Sequence, residues 1–343
     1  MAASEGSAPT LRDVGALAKV STMTASRALR GDPKVSAQTT ARVRAAAAEL
    51  NYRRNELARG LRLGRTSGMV GLVVTNLANP FYSQLALGVE AVAASRGMKV
   101  VVSNTADRVE RECEVVDDLA ARRVDGIIVV PAGLEQGHLD PSYLKDIPVV
   151  LAARPPVGIT ADCALLDDFG GARQATAQLV ADGHNRIGFL GPPAAWTSAE
   201  RLRGFRTVLE GAGIALEDAL VSCEQRDIAT AERVAGNMLD QPDPPTAFFC
   251  ANSRNTMGVC RAVKRRGLRT AVFGFDDFEM ADMLDMSLRI VTYDPEALGR
   301  QAAEQLFQRL DEKRAVPGKA AAIARVILPT SIVDYTPAVP TAD

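Results

Sequence analysis

Residues 10–31, Thr-Leu-Arg-Asp-Val-Gly-Ala-Leu-Ala-Lys-Val-Ser-Thr-Met-Thr-Ala-Ser-Arg-Ala-Leu-Arg-Gly, read as two short helices joined by a tight turn. Thr10 is placed to cap the first helix, with Asp13 three residues on to close a capping box. Leu11, Val14, Leu17 and Ala18 then fall on one helical face, with Arg12 and Lys19 outside it. Ser21 is a second N-cap, followed by the apolar stripe Ala25, Ala28 and Leu29 and by Gly31 as terminator. Ala18 and Ala25 are small enough for the two backbones to approach closely. That leaves Thr22, Met23, Ser26 and Arg27 on the outer face of the second helix, the arrangement of a helix-turn-helix with its recognition helix.

The charge distribution supports this reading. Residues 1–68 hold 12 Lys and Arg against 5 Asp and Glu, whereas the remaining residues hold 28 against 36, so the overall net charge of −1 conceals a basic front end on an acidic body. Such asymmetry is a footprint for phosphate contacts. Ser36 is placed to cap a third helix in which Val43, Ala46, Ala47 and Leu50 recur at helical spacing, completing a headpiece over residues 1–52. Residues 53–67 follow as a linker whose first fourteen residues carry five arginines and two glycines, at most about two marginal helical turns.

From residue 68 the pattern changes to short apolar runs alternating with helical stretches. Strands are expected at 69–74, 99–102, 126–130 and 148–151, then at 186–190, 220–223, 246–250 and 270–275, with a last strand at 324–328. Helices are expected near 80–96, 108–122, 136–145, 170–183, 198–212, 229–239, 255–267 and 295–313. Two parallel α/β lobes with right-handed crossovers are implied. In open parallel sheets a ligand crevice lies beyond the carboxyl ends of the strands. That rule alone selects 75–82, 103–104, 152–154, 191–201, 251–252, 275–277 and 292–294.

The run 10–31, then Val35-Ser36, Glu49-Leu50-Asn51-Tyr52, the segment from Asn55 to Arg62, and Asn79-Pro80-Phe81-Tyr82 resemble the lac-repressor (LacI/GalR) family of bacterial transcription regulators, from about residue 10 to about 333. The resemblance implies an all-α helix-turn-helix headpiece, a hinge over 53–67, and an α/β periplasmic-binding-protein-like body over 68–343. Lobe one would comprise about 68–164 and 293–325 and lobe two 165–292 and 326–343, with crossovers near 164–166, 290–293 and 326–330. It implies a cytoplasmic homodimer on a pseudo-palindromic double-stranded operator. Thr22, Met23 and Arg27 would face base edges, and Ser21, Thr24, Ser26 and Asn51 the phosphates. Ala58 and Leu61 match the small packing position and the minor-groove wedge of the hinge, although Arg54 stands where relatives often carry proline.

For the crevice, the resemblance implies that Asn79, Phe81, Tyr82, Arg154, Arg201, Asn252, Asp276 and Tyr293 contact a small-molecule effector, a carbohydrate in the common case. Aromatic rings can stack on a sugar face while amides, arginines and carboxylates exchange hydrogen bonds with its hydroxyls. Three departures limit the choice of ligand. Ala153 stands where many relatives have aspartate, Ser253 replaces the aspartate after Asn252, and Tyr293 sits where sugar binders often have glutamine. A hexose, a glycoside, a sugar acid or another small metabolite all stay open. Trp196, the only tryptophan, either lines the crevice or lodges between the lobes.

Catalytic and metal chemistry find little support. The five cysteines lack ligand spacing, and neither histidine, His138 or His184, stands in a nucleophile motif. The pairs Asp117-Asp118, Asp167-Asp168 and Asp276-Asp277 resemble acid/base couples, but neighbours on a strand would point to opposite faces. The residues opening the chain read as no secretory signal, and no apolar run is long enough to span a membrane. The expectation is a regulator with no cofactor, no metal and no enzymatic activity.

Overall fold

A computed structural model describes residues 9–52, 67–145, 147–193, 196–225, 227–315 and 322–337. The chain divides into two compact units, residues 1–67 and 68–343.

In the first unit, α1 (Leu11–Leu17), α2 (Thr22–Leu29) and α3 (Ala37–Glu49) pack around Val14, Ala18, Ala25, Ala28, Val43, Ala46 and Ala47. The caps fall where the sequence placed them. Thr10 and Asp13 form a full capping box, Ser21 Oγ accepts from Thr24 N at 3.1 Å, and Ser36 Oγ accepts from Thr39 N at 3.2 Å. Between α1 and α2 the chain turns through Lys19 at φ 52°, and Val20 N closes the turn on Gly15 O at 2.9 Å. Gly15 lies beneath that turn, where a methyl group would sit 3.0 Å from Val20 O. Leu17 departs from expectation and is exposed. At 100° per residue it stands on the side of Val14 away from Leu11 and Ala18, so the buried stripe passes it by.

The second unit holds two six-stranded sheets. Lobe one contains β1 (Met69–Val74), β2 (Lys99–Asn104), β3 (Gly126–Val129), β4 (Val149–Ala152), β5 (Asp162–Leu166) and β11 (Arg325–Leu328), in the order β11-β5-β4-β3-β1-β2 and wholly parallel. Its helices are α4 (Pro80–Ser95), α5 (Val109–Ala121) and α10 (Pro295–Ala315). Lobe two contains β6 (Ile187–Leu190), β7 (Val221–Ser222), β8 (Ala247–Cys250), β9 (Ala271–Phe275), β10 (Leu288–Thr292) and β12 (Ser331–Asp334), in the order β12-β10-β9-β8-β6-β7. Its helices are α6 (Asp168–Ala181), α7 (Trp196–Gly211), α8 (Ile228–Leu239) and α9 (Ser253–Arg266). Each sheet is covered on both faces by separate apolar clusters, as burial of parallel strands requires. Helices α4 and α10 approach so closely that a methyl group on Gly88 would overlap Glu296 O, and one on Gly299 would overlap Leu85 O.

Four details correct the expectation. Residues 162–166 and 288–292 are strands, not connectors, so the chain changes lobe at 167, 293 and 329–330 instead of within β5 and β11. The last strand, β12, runs antiparallel to β10. The first two crossovers lead from a strand into a helix, which runs back along the sheet. The third leads directly from β11 into β12 across facing strand ends, so β12 enters its sheet from the carboxyl side and must run the other way. The helix expected at 136–145 is only a 3-10 turn at Gly137–Leu139, because Gly137 and Pro141 interrupt it. Among the described residues, no helix is long and apolar enough to cross a membrane.

Candidate functional site

Two surfaces emerge, one in each unit. On the headpiece, Ser21, Thr22, Met23 and Arg27 are exposed, while Thr24 and Ser26 are half-buried. Ser21 and Thr24 are mutually engaged, their hydroxyls 2.9 Å apart at the cap of α2. Arg27 makes one loose ion pair, 3.9 Å to Asp32, with its side chain half exposed. Asn51 is exposed and ends α3 in the left-handed conformation at φ 49°. The outer face of α2 therefore presents Thr22, Met23 and a loosely held Arg27 on a basic unit, beside the Ser21–Thr24 cap. Ala58 and Leu61 lie outside the described residues.

Between the lobes lies a cavity of about 380 Å³. Asn79, Phe81, Tyr82, Arg154, Arg201, Asn252, Asp276 and Tyr293 all line it, so the strand-end rule gathered residues from both lobes into one place. Asn79 is the N-cap of α4, its Oδ1 accepting from Phe81 N at 3.0 Å, and Pro80 starts the helix behind it. Asn252 caps α9 in the same way, accepting from Asn255 N at 2.8 Å. The rings of Phe81 and Tyr82 meet edge to face at 4.9 Å, and Phe81 meets Tyr293 at 5.9 Å. Tyr82 is buried, its hydroxyl accepting from Thr75 Oγ1 at 2.6 Å, and burial raises its pKa above the ordinary tyrosine value.

The polar centre of the cavity is Arg201. Nη1 donates to Ala251 O at 2.6 Å and to Asp276 Oδ1 at 3.0 Å, while Nε donates to Asp168 Oδ1 at 2.7 Å. The guanidinium lies 3.6 Å from the ring centroid of Phe275. Burial works against its charge, but Asp276 and Asp168 outweigh that and hold its pKa above the ordinary arginine value. Asp168 is buried, and loss of solvation pushes its carboxyl up to about 6 against the pull of Arg201. Its Oδ2 has no hydrogen-bond partner among the described residues. Tyr293 donates its hydroxyl to Asp276 Oδ1 at 2.7 Å, with burial first and Asp276 second in raising its pKa. Arg154 joins Asp107 at 3.2 Å and Pro131 O at 2.5 Å.

Trp196 lies apart from the main cavity. Half-buried at the start of α7, it closes a small side cavity of about 30 Å³ against Gly133, Leu134, Gln136 and Val157 of lobe one, with Arg154 shared between the two cavities. The loop it meets is held from inside. Buried Glu112 accepts from Ala132 N at 2.6 Å and pairs with His138 Nε2 at 2.9 Å.

Asn104, which the strand-end rule selected, also lines the cavity; sequence reasoning missed Arg254 and Asp107, which line it too, and Asp168, which positions Arg201. Arg254 lies only two residues past Asn252, so extending the strand-end rule through the first turn of the following helix would have found it. The aspartate pairs do not stand on strands. Asp117 and Asp118 are on α5, while Asp167 caps α6 and Asp168 opens it. No group of metal-ligating side chains occurs among the described residues.

A family model described as "Bacterial regulatory proteins, lacI family" matches residues 10–55. A second, "Periplasmic binding proteins and sugar binding domain of LacI family", matches residues 67–331. The ribose operon repressor of Escherichia coli K12 is 31% identical over 88% of this chain and 93% of its own length. The transcriptional repressor PurR of Photobacterium profundum is 29% identical over 89% of this chain and 92% of its own. Among solved structures, the lac repressor dimer bound to operator and the anti-inducer ONPF aligns over 96% of this chain and 99% of its own, with a TM-score of 0.81 at 27% identity.

Proposed function

This chain belongs to the lacI family of bacterial regulatory proteins, and we propose that it is a sequence-specific transcriptional repressor whose operator affinity is set by a small molecule held between its lobes. One observation carries the reading: a basic helix-turn-helix with an open outer face is joined in a single chain to a body whose two lobes enclose a polar cavity of about 380 Å³. Relatives over the same span are repressors by name, and one solved relative is a dimer on its operator.

On this reading two copies place their α2 helices in successive major grooves of a two-fold DNA site. Thr22, Met23 and Arg27 read base edges, while Ser21, Thr24, Ser26 and Asn51 hold the backbone. Ala58 and Leu61 serve the hinge, Leu61 as the wedge that kinks the minor groove. The cavity takes a small polyhydroxylated effector. Phe81, Tyr82 and Tyr293 offer apolar surface to its ring, and Asn79, Arg154, Arg201, Asn252 and Asp276 offer hydrogen bonds. Occupancy alters the angle between lobes through the crossovers at 167, 293 and 329–330, and that change favours or disfavours the paired hinges. The protein acts in the cytoplasm and by binding, not by catalysis.

Selection from random duplex DNA with the purified full chain tests this. An inverted repeat, bound with a salt dependence that reports several phosphate contacts, is the expected product. Recovery of no two-fold sequence would overturn the reading.

A further inference from the structure

The cleft is unevenly equipped. Among its lining residues are three arginines and two aspartates. Both carboxylates are engaged, Asp107 with Arg154 at 3.2 Å and Asp276 with Arg201 at 3.0 Å, and Arg201 is also held by buried Asp168 behind the cavity wall at 2.7 Å. Arg254 is left over. It is half-buried and makes no hydrogen bond or ion pair with any described residue. The carboxylate that feels its charge, Asp227, is exposed and already accepts from Thr230 N at 2.7 Å.

The hydrogen-bonding atoms are biased in the same direction. Four asparagines line the cavity, and each commits its side-chain oxygen to a backbone N–H. Asn76 accepts from Ala78 at 3.0 Å and Asn79 from Phe81 at 3.0 Å. Asn104 accepts from Leu77 at 3.3 Å and Asn252 from Asn255 at 2.8 Å. Only an oxygen can accept, so these bonds fix all four amides with Nδ2 as the uncommitted end. The Tyr82 hydroxyl accepts from Thr75 and keeps its own proton to donate. Against this row of donors, the charged acceptors of the lining are the outer oxygens of Asp107 and Asp276, joined by the hydroxyls of Thr75, Thr197 and Tyr293.

A neutral polyol brings one donor with every hydroxyl, and those donors would outnumber the charged acceptors here. A carboxylate or phosphate only accepts, and its charge matches Arg254, which no described carboxylate pairs, and the positive end of α9. We infer that the ligand is an acidic derivative of a polyhydroxylated small molecule, its anionic group seated by Arg254 and the Asn252 amide. This rests on the effector reading above and narrows it.

The test uses the full chain at fixed ionic strength, with melting temperature and calorimetric affinity as readouts. D-gluconate and D-glucuronate form the carboxylate arm. D-glucose 6-phosphate, D-ribose 5-phosphate and inorganic phosphate form the phosphate arm, and D-glucose and D-ribose are the neutral counterparts. One anionic arm should stabilise the protein where its neutral counterpart does not. Arg254→Gln should weaken that binding about tenfold or more, and Arg254→Lys should restore most of it. Should Arg254→Gln lower the unliganded melting temperature, the charge-retaining Arg254→Lys carries the comparison. The inference is overturned if neutral sugars bind as well as acidic ones, if Arg254→Gln leaves anion binding unchanged, or if no anionic probe stabilises the chain. A neutral sugar that shifts operator affinity would overturn it and leave the effector reading standing. Operator binding that responds to none of the compounds would remove both.

Discussion

Arg201 donates to Asp276 over 3.0 Å, and the oxygen that receives it also receives the hydroxyl of Tyr293. Arg201 comes from α7, Asp276 follows β9, and Tyr293 is the residue at which the chain crosses from lobe two to lobe one. Asp276 holds a left-handed φ of 67° to meet both partners. The polar centre of the cavity is thereby tied to one of the three crossovers that join the lobes, so a ligand that rearranges Asp276 acts directly on it.

Removing the cation should be expensive. Arg201→Met would strand Asp168, a buried carboxylate whose side chain has no other ion-pair partner among the described residues, and is expected to cost about 3–5 kcal/mol in urea unfolding of the body. Adding Asp168→Asn to that variant should recover part of the loss. A single-variant cost below about 1 kcal/mol would show that the pair is solvated.

Asp168 should also leave a mark on stability against pH. Its carboxyl is raised from 3.8 to about 6, so the folded protein binds this proton more tightly than the unfolded chain does. The resulting contribution is complete below pH 3.8 and is lost as pH rises through about 6. Melting temperatures across that window should therefore fall more steeply with rising pH in the parent than in Asp168→Asn, whose Oδ1 can still accept from Arg201. Parallel curves would contradict the assignment.

Trp196 supplies a built-in reporter. As the only tryptophan, it belongs to lobe two and packs against Gly133, Leu134 and Val157 of lobe one. Ligand binding that alters the lobe angle should shift its emission, and Trp196→Phe should silence the signal while keeping calorimetric affinity within about threefold, as expected of a residue outside the main cavity. Unchanged emission on binding would mean that the lobes do not move at this contact.

On the headpiece, Arg27 is free enough to read a base. Its one ion pair among the described residues, 3.9 Å to half-buried Asp32, is too long to hold a side chain that is itself half exposed. Arg27→Ala should cost about 1–3 kcal/mol on the selected operator and much less on unrelated duplex at the same salt. Equal losses on both would make Arg27 a phosphate contact.

Much of this was legible from residues whose local chemistry is self-contained. Thr10, Ser21 and Ser36 announce helix starts because a hydroxyl oxygen answers a free N–H, whatever the surroundings. The cleft residues were legible because parallel topology forces strand ends to one side. What depends on distant partners was not. Residues 162–166 and 288–292 look like connectors until β4, β11, β9 and β12 are beside them. Asp168 looks like half of an exposed acid pair until α7 brings Arg201 onto it. Spacing alone left Trp196 between lining the crevice and lodging between the lobes, since a loop of lobe one decides where it lies. The orientation of the four asparagine amides, which gives the cleft its donor bias, is set by helix capping at Asn79 and Asn252 and by the loop at 76–78 for Asn76 and Asn104.

The central claim is that occupancy of the cleft is read out as affinity for DNA. It is tested most directly by titrating a fluorescent duplex carrying the selected inverted repeat with the full chain, with and without the ligand that stabilises it. The account predicts that the ligand changes operator affinity about fivefold or more, and that the operator changes ligand affinity by the same factor. Superimposable DNA isotherms at saturating ligand would contradict it.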